Sequence, residues 1–354
     1  MMNQELLCTV IKTAVRSGLR YINDNPKRGV RNLLDLGEYF ATGHFQKDFF
    51  NLAHDILNND NSSYYTIIEK TVKNVNHNIL TDFGMNIGYR SWTYGANSIR
   101  NYEKSHGYNI PWTIVFDFNE AIENQLTNTE VLNLIQQGKK IGIYSYMFMI
   151  ENNHIKLDYL FPILEQNKDC AFVAFLNPKY LKPNNLCKLK SYTNIMLFIL
   201  DSAIIPIQKN YDLLSTIKYL RKNKCLYGVY RYYNYESYNE IINGNYITEL
   251  DKIDLHFAFL IKDENCSEKV EEKVNSYVSN SRLGGNAPVI LMDFYNDIAH
   301  VDKNISVESC FLCIKSNGKV SISNINNITS YNTRSIKFEE ILSKTMKKQS
   351  TNCD

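Results

Sequence analysis

The chain has 354 residues, of which 44% are hydrophobic and 21% charged, and its formal net charge is +2. These values fit a globular protein with one large α/β domain or two domains, and they exclude a disordered chain. Lys and Arg are mixed with Asp and Glu rather than concentrated in the basic stripe of a nucleic-acid binder, and no segment approaches the roughly 20 apolar residues of a membrane span.

The opening residues lack the apolar run and cleavage site of a signal peptide. The eight Cys residues are scattered and do not resemble a disulfide framework. We therefore predict a cytoplasmic protein with reduced thiols, no nucleic-acid partner and no membrane span.

The first hundred or so residues favour helices. Apolar residues from Leu7 to Leu19 keep helical spacing, with basic residues on the other faces. Such a basic amphipathic helix either binds a membrane or a partner, or packs on its own domain, and we expect the last. Further helical patterns lie around Val30–Phe40, Gln46–Asn58 and Tyr64–Val75.

After Ile110 short apolar runs alternate with helical patterns, which is typical of a parallel sheet. The pattern alone leaves an open sheet and a partial barrel both possible. The six predicted strands are Trp112–Asp117, Ile141–Met149, Ala171–Leu176, Ile195–Leu200, Cys225–Tyr232 and Ile253–Leu260. The predicted helices between and after them include Thr129–Gln137, Ile155–Gln166, Tyr211–Asn223, Glu236–Ile242 and Ser267–Ser279.

The last part of the chain has a different pattern. Pro288–Asp293 predicts one more apolar strand. Ser309–Lys315 and Lys319–Ser323 flank Asn317-Gly318, which predicts a hairpin with a two-residue type I′ turn. The residues from Lys344 onwards predict a frayed polar tail.

Polar residues follow several of the predicted strands. Ligands bind at the carboxyl ends of parallel strands, so these residues predict a pocket for a small polar ligand. The alternative is that strand ends are polar because the chain meets water there. The pocket candidates are Asp117, Glu151, Asn177, Asp201 and Arg231.

Cys310 and Cys313 form the only C-x-x-C pair. The pair lies inside a predicted strand, where residues three apart point to opposite faces, so we interpret both as ordinary partly buried thiols. The seven His residues have no metal-site spacing, and the phosphate-loop, nucleophile-elbow and dinucleotide motifs are absent. No metal site is predicted.

The order of several segments resembles the radical S-adenosylmethionine (radical SAM) enzymes. The resemblance lies in Tyr108–Asp117, Gln137–Tyr144, Phe172–Asn177, Leu291–Asp297 and Leu312–Val320. It implies a six-unit (β/α) partial TIM-like barrel behind a helical N-terminal region, with a small C-terminal β-hairpin region of the SPASM-like auxiliary type. The family uses a 4Fe-4S cluster and S-adenosylmethionine.

The family's functional motifs have no counterpart at the matching positions. The first strand should lead into a C-x-x-x-C-x-x-C loop, but Asp117–Thr127 contains no Cys. The G-G-E-P motif after the second strand is replaced by Ile150–Asn153, and the auxiliary Cys positions align with Asn304 and Ser323. On this basis we predict no cluster and no cofactor.

The resemblance implies residues 1–107 as the helical region, 108–285 as the partial barrel, 286–343 as the auxiliary region and 344–354 as the tail. We interpret the chain as a non-catalytic radical-SAM-like pseudoenzyme that binds or regulates a partner, such as an active family member or a peptide.

Two enzymatic alternatives remain. The first is different chemistry at the polar strand ends, which a cavity filled by Tyr146, Phe148 and Tyr230 would oppose. The second is a cluster held by remote thiols such as Cys170, Cys187 or Cys225, which lie away from the expected catalytic mouth. The catalytic residues, the ligand and the oligomeric state stay undetermined at this point.

Overall fold

The computed structural model describes residues 4–39, 44–120, 124–152, 155–181, 183–202, 205–306 and 308–348. Residues 121–123 of the expected cluster loop lie outside these ranges, and so do residues 349–354 of the predicted tail. The frayed tail predicted from Lys344 is wrong for residues 344–348, because a helix continues to Thr345 and Lys347 forms a β-bridge with Tyr108. In the described part of the chain, no helix has the combined length and apolar character needed to cross a membrane.

Helices fill the N-terminal region, as the helical spacing predicted. They are α1 (Gln4–Asp24), α2 (Pro26–Tyr39), α3 (His44–Asn58), α4 (Ser63–Asn74), α5 (His77–Gly84), a π-helical stretch (Met85–Gly95) and α6 (Ala96–His106). The apolar face of α1 buries Leu19 and Ile22 against Val30, Leu57 and Tyr65. This helix therefore uses its apolar face to pack within its own part of the chain.

Ten strands form one mostly parallel sheet in the order β10-β9-β8-β1-β2-β3-β4-β5-β6-β7. The strands are β1 (Thr113–Asp117), β2 (Ser145–Ile150), β3 (Ala171–Leu176), β4 (Ile195–Leu200), β5 (Tyr227–Tyr233), β6 (Phe257–Lys262), β7 (Ile290–Asp293), β8 (Leu312–Lys315), β9 (Lys319–Ile322) and β10 (Ile328–Asn332). The later helices are α7 (Asn128–Lys140), α8 (Phe161–Gln166), α9 (Pro183–Leu189), α10 (Tyr211–Lys222), α11 (Tyr238–Ile242), α12 (Asn245–Lys252), α13 (Glu268–Gly284), α14 (Phe294–Ile305) and α15 (Phe338–Thr345).

Strands β2, β5 and β6 begin two to four residues later than predicted, and a residue with a positive φ angle precedes each of them. Gly142, Lys224 and Asp254 have φ angles of +105°, +53° and +55°, and each forms a turn before β2, β5 or β6. Apart from the half-buried Ile253, the apolar residues of these turns are buried like strand residues, so hydrophobicity alone did not separate turn from strand. Helices α12, α14 and α15 and strand β10 are absent from the predicted elements.

The predicted two-residue turn at Asn317-Gly318 is wrong in detail. The loop has three residues, because Ile314 pairs with Val320 and Leu312 with Ile322 in the antiparallel pair of β8 and β9. Only Gly318 has a positive φ, of 83°, whereas a type I′ turn needs two such residues. Gly318 thus serves as the left-handed residue of a type I turn with a bulge.

The chain divides into two compact units. The first unit comprises residues 1–85 and 175–296, and the second comprises residues 86–174 and 297–354. The domain boundaries taken from the family resemblance stay predictions.

In the second unit, aromatic side chains identify the face of the sheet that the helices cover. Tyr146 donates a hydrogen bond from its hydroxyl to the carbonyl of Ile135 in α7, at 3.1 Å. The ring of Phe116 stacks on that of Phe148 at 5.0 Å, and both strands place these residues in register. Because successive side chains alternate between faces, Asp117 lies on the opposite face.

Two buried carboxyl groups fix the segments that lead into β1 and β8. Asp302 in α14 accepts hydrogen bonds from the backbone N–H groups of Trp112 and Cys310, at 3.2 and 2.9 Å. Glu103 in α6 accepts one from the backbone N–H of Ile110, at 2.8 Å. Burial raises the pKa of Asp302 to about 7, and it also raises the pKa of Glu103.

The raised pKa of Asp302 predicts a specific pH dependence. Its ordinary value is 3.8, so between about pH 4 and pH 7 the folded protein binds a proton that the unfolded chain has lost. The free energy of unfolding should therefore fall as pH rises through this window, by on the order of 3 kcal/mol from this group. Urea denaturation should show a flatter profile in Asp302→Asn.

Asp297→Asn, on the same helix α14 but only half-buried, is the matched control for removing a carboxyl group from this helix, and the profile of Asp302→Asn is compared with it. Identical slopes in wild type and Asp302→Asn would contradict the assignment to Asp302.

Candidate functional site

The carboxyl end of β1 carries a buried ion pair. Lys315 of β8 lies in register beside Asp117, and its Nζ is 2.6 Å from Asp117 Oδ2. Both side chains are only 5% exposed. Burial by itself lowers the pKa of Lys315, but the hydrogen bond and the charge of Asp117 outweigh burial, and the pKa is raised. Lys315 is therefore a fixed ammonium that neutralises Asp117.

Asn119 connects the ends of β1 and β2. Its backbone N–H donates to Asp117 Oδ1 at 3.1 Å, and its own Oδ1 accepts the backbone N–H of Glu151 at 2.8 Å. The structure thus brings two predicted pocket residues, Asp117 and Glu151, to neighbouring strand ends of the second unit.

The loop after β1 is held by residues from the C-terminal part of the chain. The N–H of Leu126 donates to the carbonyl of Ser316 at 2.7 Å. Arg334 donates hydrogen bonds from Nε and Nη2 to the carboxylate of Glu130. It also donates to the backbone carbonyls of residues 124 and 125. Sequence reasoning missed both Lys315 and Arg334, because nothing local marks their partners about 200 residues away.

In the first unit, Asp201 and Arg231 form a second buried ion pair. Arg231 donates from Nε and Nη2 to Asp201 Oδ2, at 2.9 and 2.7 Å. Its Nη1 is 3.0 Å from Glu240 Oε2, and its Cζ lies 4.1 Å from the ring centroid of Tyr246. Burial raises the pKa of Asp201 to about 6, and the Arg231 guanidinium opposes a further rise.

This second pair lies where the sheet meets α11 and α12, since Glu240 and Tyr246 belong to those helices. The structure therefore brings Asp201 and Arg231 together between strands and helices. Asn177 acts locally, because its Oδ1 accepts the backbone N–H of Lys179 at 3.0 Å and caps the turn Pro178–Tyr180.

In the first unit, aromatic rings pack on the face of the sheet opposite to Arg231. Phe175 lies 5.6 Å from Phe198, 5.5 Å from Phe259, 5.2 Å from Tyr230 and 5.4 Å from Phe294, measured between ring centroids. All five rings are buried. Residues 175 and 259 come from β3 and β6, so their contact requires a concave face. Tyr230 belongs to this cluster of buried rings, whereas the hydroxyl of Tyr146 is bonded to helix α7 of the second unit.

The described residues do not fit an iron–sulfur cluster in the loop after β1. Cluster irons are held by thiolates, and residues 118–120 and 124–127 include no Cys. Among the described residues, no group of three or more His, Cys, Asp or Glu side chains could hold a metal ion. Cys310 and Cys313 are buried, and burial raises the pKa of both thiols, which keeps them protonated.

No known family profile matches the sequence, and no curated protein matches it. Solved structures of SuiB from Streptococcus suis do match. SuiB alone is 12% identical with a TM-score of 0.51, over 71% of this chain and 70% of that chain. SuiB bound to its precursor peptide SuiA is 13% identical with a TM-score of 0.52, over 71% and 69%.

SuiB bound to S-adenosylmethionine is 14% identical with a TM-score of 0.50, over 71% of this chain and 68% of that chain. At these identities the likeness shows the fold, which is mixed α/β and radical-SAM-like. The prediction that no cofactor is used is contradicted by this likeness to a structure holding S-adenosylmethionine. That prediction rested on the missing cluster ligands and on the replaced G-G-E-P motif, and neither absence excludes other contacts to such a molecule.

The Asp117–Lys315 pair predicts strong coupling between its members. Asp117→Val or Lys315→Met alone leaves a buried charge without its partner and should lower the free energy of unfolding by about 3–5 kcal/mol. The double variant should cost clearly less than the sum, because both charges are removed together. Urea denaturation of the four proteins measures this cycle.

Lys344→Met is the control, since Lys344 pairs with Glu340 on the exposed surface of α15. This substitution should lower the free energy of unfolding by less than about 1 kcal/mol. If the double variant lost as much free energy of unfolding as the two single variants together, the buried pair would not be coupled.

Proposed function

We propose that the chain is a non-catalytic binding protein on the radical-SAM-like fold, and that its partner is a peptide. The observation that carries this proposal is the pairing of charges at the strand ends. Asp117 is neutralised by Lys315, and Asp201 is neutralised by Arg231, both within buried pairs.

This pairing opposes an acid–base enzyme at the strand ends. A general acid or base must reach the substrate, and its proton affinity must suit the transfer. Asp201 is held between sheet and helices by Arg231, and Lys315 remains an ammonium. Aromatic rings such as Phe175 and Phe259 occupy the face where a substrate would enter the first unit.

A peptide partner is supported by the likeness to SuiB, which has been solved bound to its precursor peptide. An active protein of the same fold is the other partner that a non-catalytic relative would regulate. For the small-molecule ligand we propose S-adenosylmethionine, because SuiB has also been solved bound to it.

We further propose that β1 to β6 form the six-unit partial barrel, with the C-terminal hairpin as an auxiliary region. The contact of Phe175 with Phe259 across three strand spacings supports a strongly curved sheet.

The proposal predicts binding of S-adenosylmethionine without its cleavage. The protein would be purified anaerobically and treated with iron, sulfide and reductant. Iron content, the visible absorption spectrum and calorimetric titration with S-adenosylmethionine would then be measured on the same sample. We expect saturable binding, no stoichiometric iron and unchanged S-adenosylmethionine after incubation with reductant.

Adenosine and methionine, titrated separately, are the ligand controls. About four irons per chain, with reductive cleavage of S-adenosylmethionine, would overturn the non-catalytic assignment. Absence of binding would remove S-adenosylmethionine as the ligand and leave the peptide proposal to its own test below.

A further inference from the structure

Large apolar side chains are exposed on the loops that follow β3 and β4. Tyr180 ends the turn Pro178–Tyr180, and Tyr211 begins α10 with 83% of its surface exposed. Ile205, between β4 and α10, is also exposed. Exposed aromatic rings of this kind supply contact area at low entropic cost in binding surfaces.

These side chains belong to elements that touch one another within the first unit. The turn containing Tyr180 contacts α10, which begins at Tyr211. Helix α9 and the turn Ile207–Lys209 also contact α10. The turn after β3 and the turn after β4 therefore both pack against α10.

This part of the chain is basic. Residues 177–212 contain five Lys and no Arg against two acidic residues, namely Asp201, which is neutralised by Arg231, and the exposed Asp212. The five are Lys179, Lys182, Lys188, Lys190 and Lys209, of which Lys182 lies outside the described residues. Lys179 lies 5.7 Å from the ring centroid of Tyr180, and Lys209 is exposed. Within the described residues neither of these two forms an ion pair.

We propose that this tyrosine–lysine surface, formed by Lys179, Tyr180, Ile205, Lys209 and Tyr211, docks an acidic peptide that also carries apolar side chains. The proposal rests on the proposed peptide-binding function and names the partner's chemistry. Unpaired ammonium groups beside exposed rings complement carboxylates flanked by apolar residues.

Cys187 offers a reporter for this surface. It is exposed on α9, whereas Cys8 and Cys266 are less exposed and lie on other elements. A peptide docked on the tyrosine–lysine surface should slow alkylation of Cys187 by N-ethylmaleimide and leave the other two thiols unchanged. Mass spectrometry of the digested protein measures each rate.

The experiment selects peptides from a random phage library on the full chain. Enriched sequences are synthesised, and their binding is followed by fluorescence anisotropy. We expect acidic sequences with apolar residues that protect Cys187. Tyr211→Ser should weaken them about tenfold. Lys179→Gln combined with Lys209→Gln should weaken them several-fold and reduce the dependence on salt.

Tyr39→Ser and Lys319→Gln are the controls, because both residues are exposed on elements outside this surface. They should bind the peptides like wild type. Peptides that bind all variants equally, or that leave Cys187 unprotected, would place the site elsewhere and overturn this surface alone. Enrichment of basic or uncharged peptides would overturn the acidic partner.

Failure to enrich any peptide would instead overturn the proposed peptide-binding function, and this surface with it. A polyuridylate oligonucleotide is titrated in parallel. Protection of Cys187 by the oligonucleotide, without any binding peptide, would assign the surface to nucleic acid and overturn the peptide.

Discussion

The buried carboxylate at the end of β1 imposes the constraint on which the second unit depends. A charge with 5% exposure needs a partner, and Lys315 provides it from a strand near the end of the chain. That requirement fixes the register of β8 on β1 and brings the C-terminal hairpin beside the first strand. The loop after β1 is then held by Ser316 and Arg334, which follow from the same placement.

The first unit uses its buried charges in the same way. Arg231 joins β5 to Asp201 after β4, to Glu240 in α11 and to the ring of Tyr246 in α12. Asp201 and Arg231, which the strand pattern predicted to line a ligand pocket, therefore link helices to the sheet. The opposite face is packed with rings, which makes it a core. These contacts support the proposed binding function over acid–base chemistry at the strand ends.

The fold and the chemistry of the residues point to different conclusions about the cofactor. The radical-SAM-like fold is shared with a protein solved with S-adenosylmethionine, whereas the described residues offer no thiolate set for a cluster. A ligand site for S-adenosylmethionine and a cluster site are separable, because the first needs hydrogen-bonding and stacking groups and the second needs thiolates. Measuring iron and S-adenosylmethionine on one sample distinguishes the two.

The sequence by itself determined the alternating α/β order and the exact limits of β3 and β4, because these apolar runs are bounded by polar loops. It also placed the hairpin at Asn317-Gly318 through the conformational freedom of Gly318. Only the tertiary structure decided that β8 lies beside β1, that Lys315 neutralises Asp117 and that Arg231 faces the helices. Strands buried on both faces carry no period-2 pattern that assigns a side, and pairing across about 200 residues leaves no local signal.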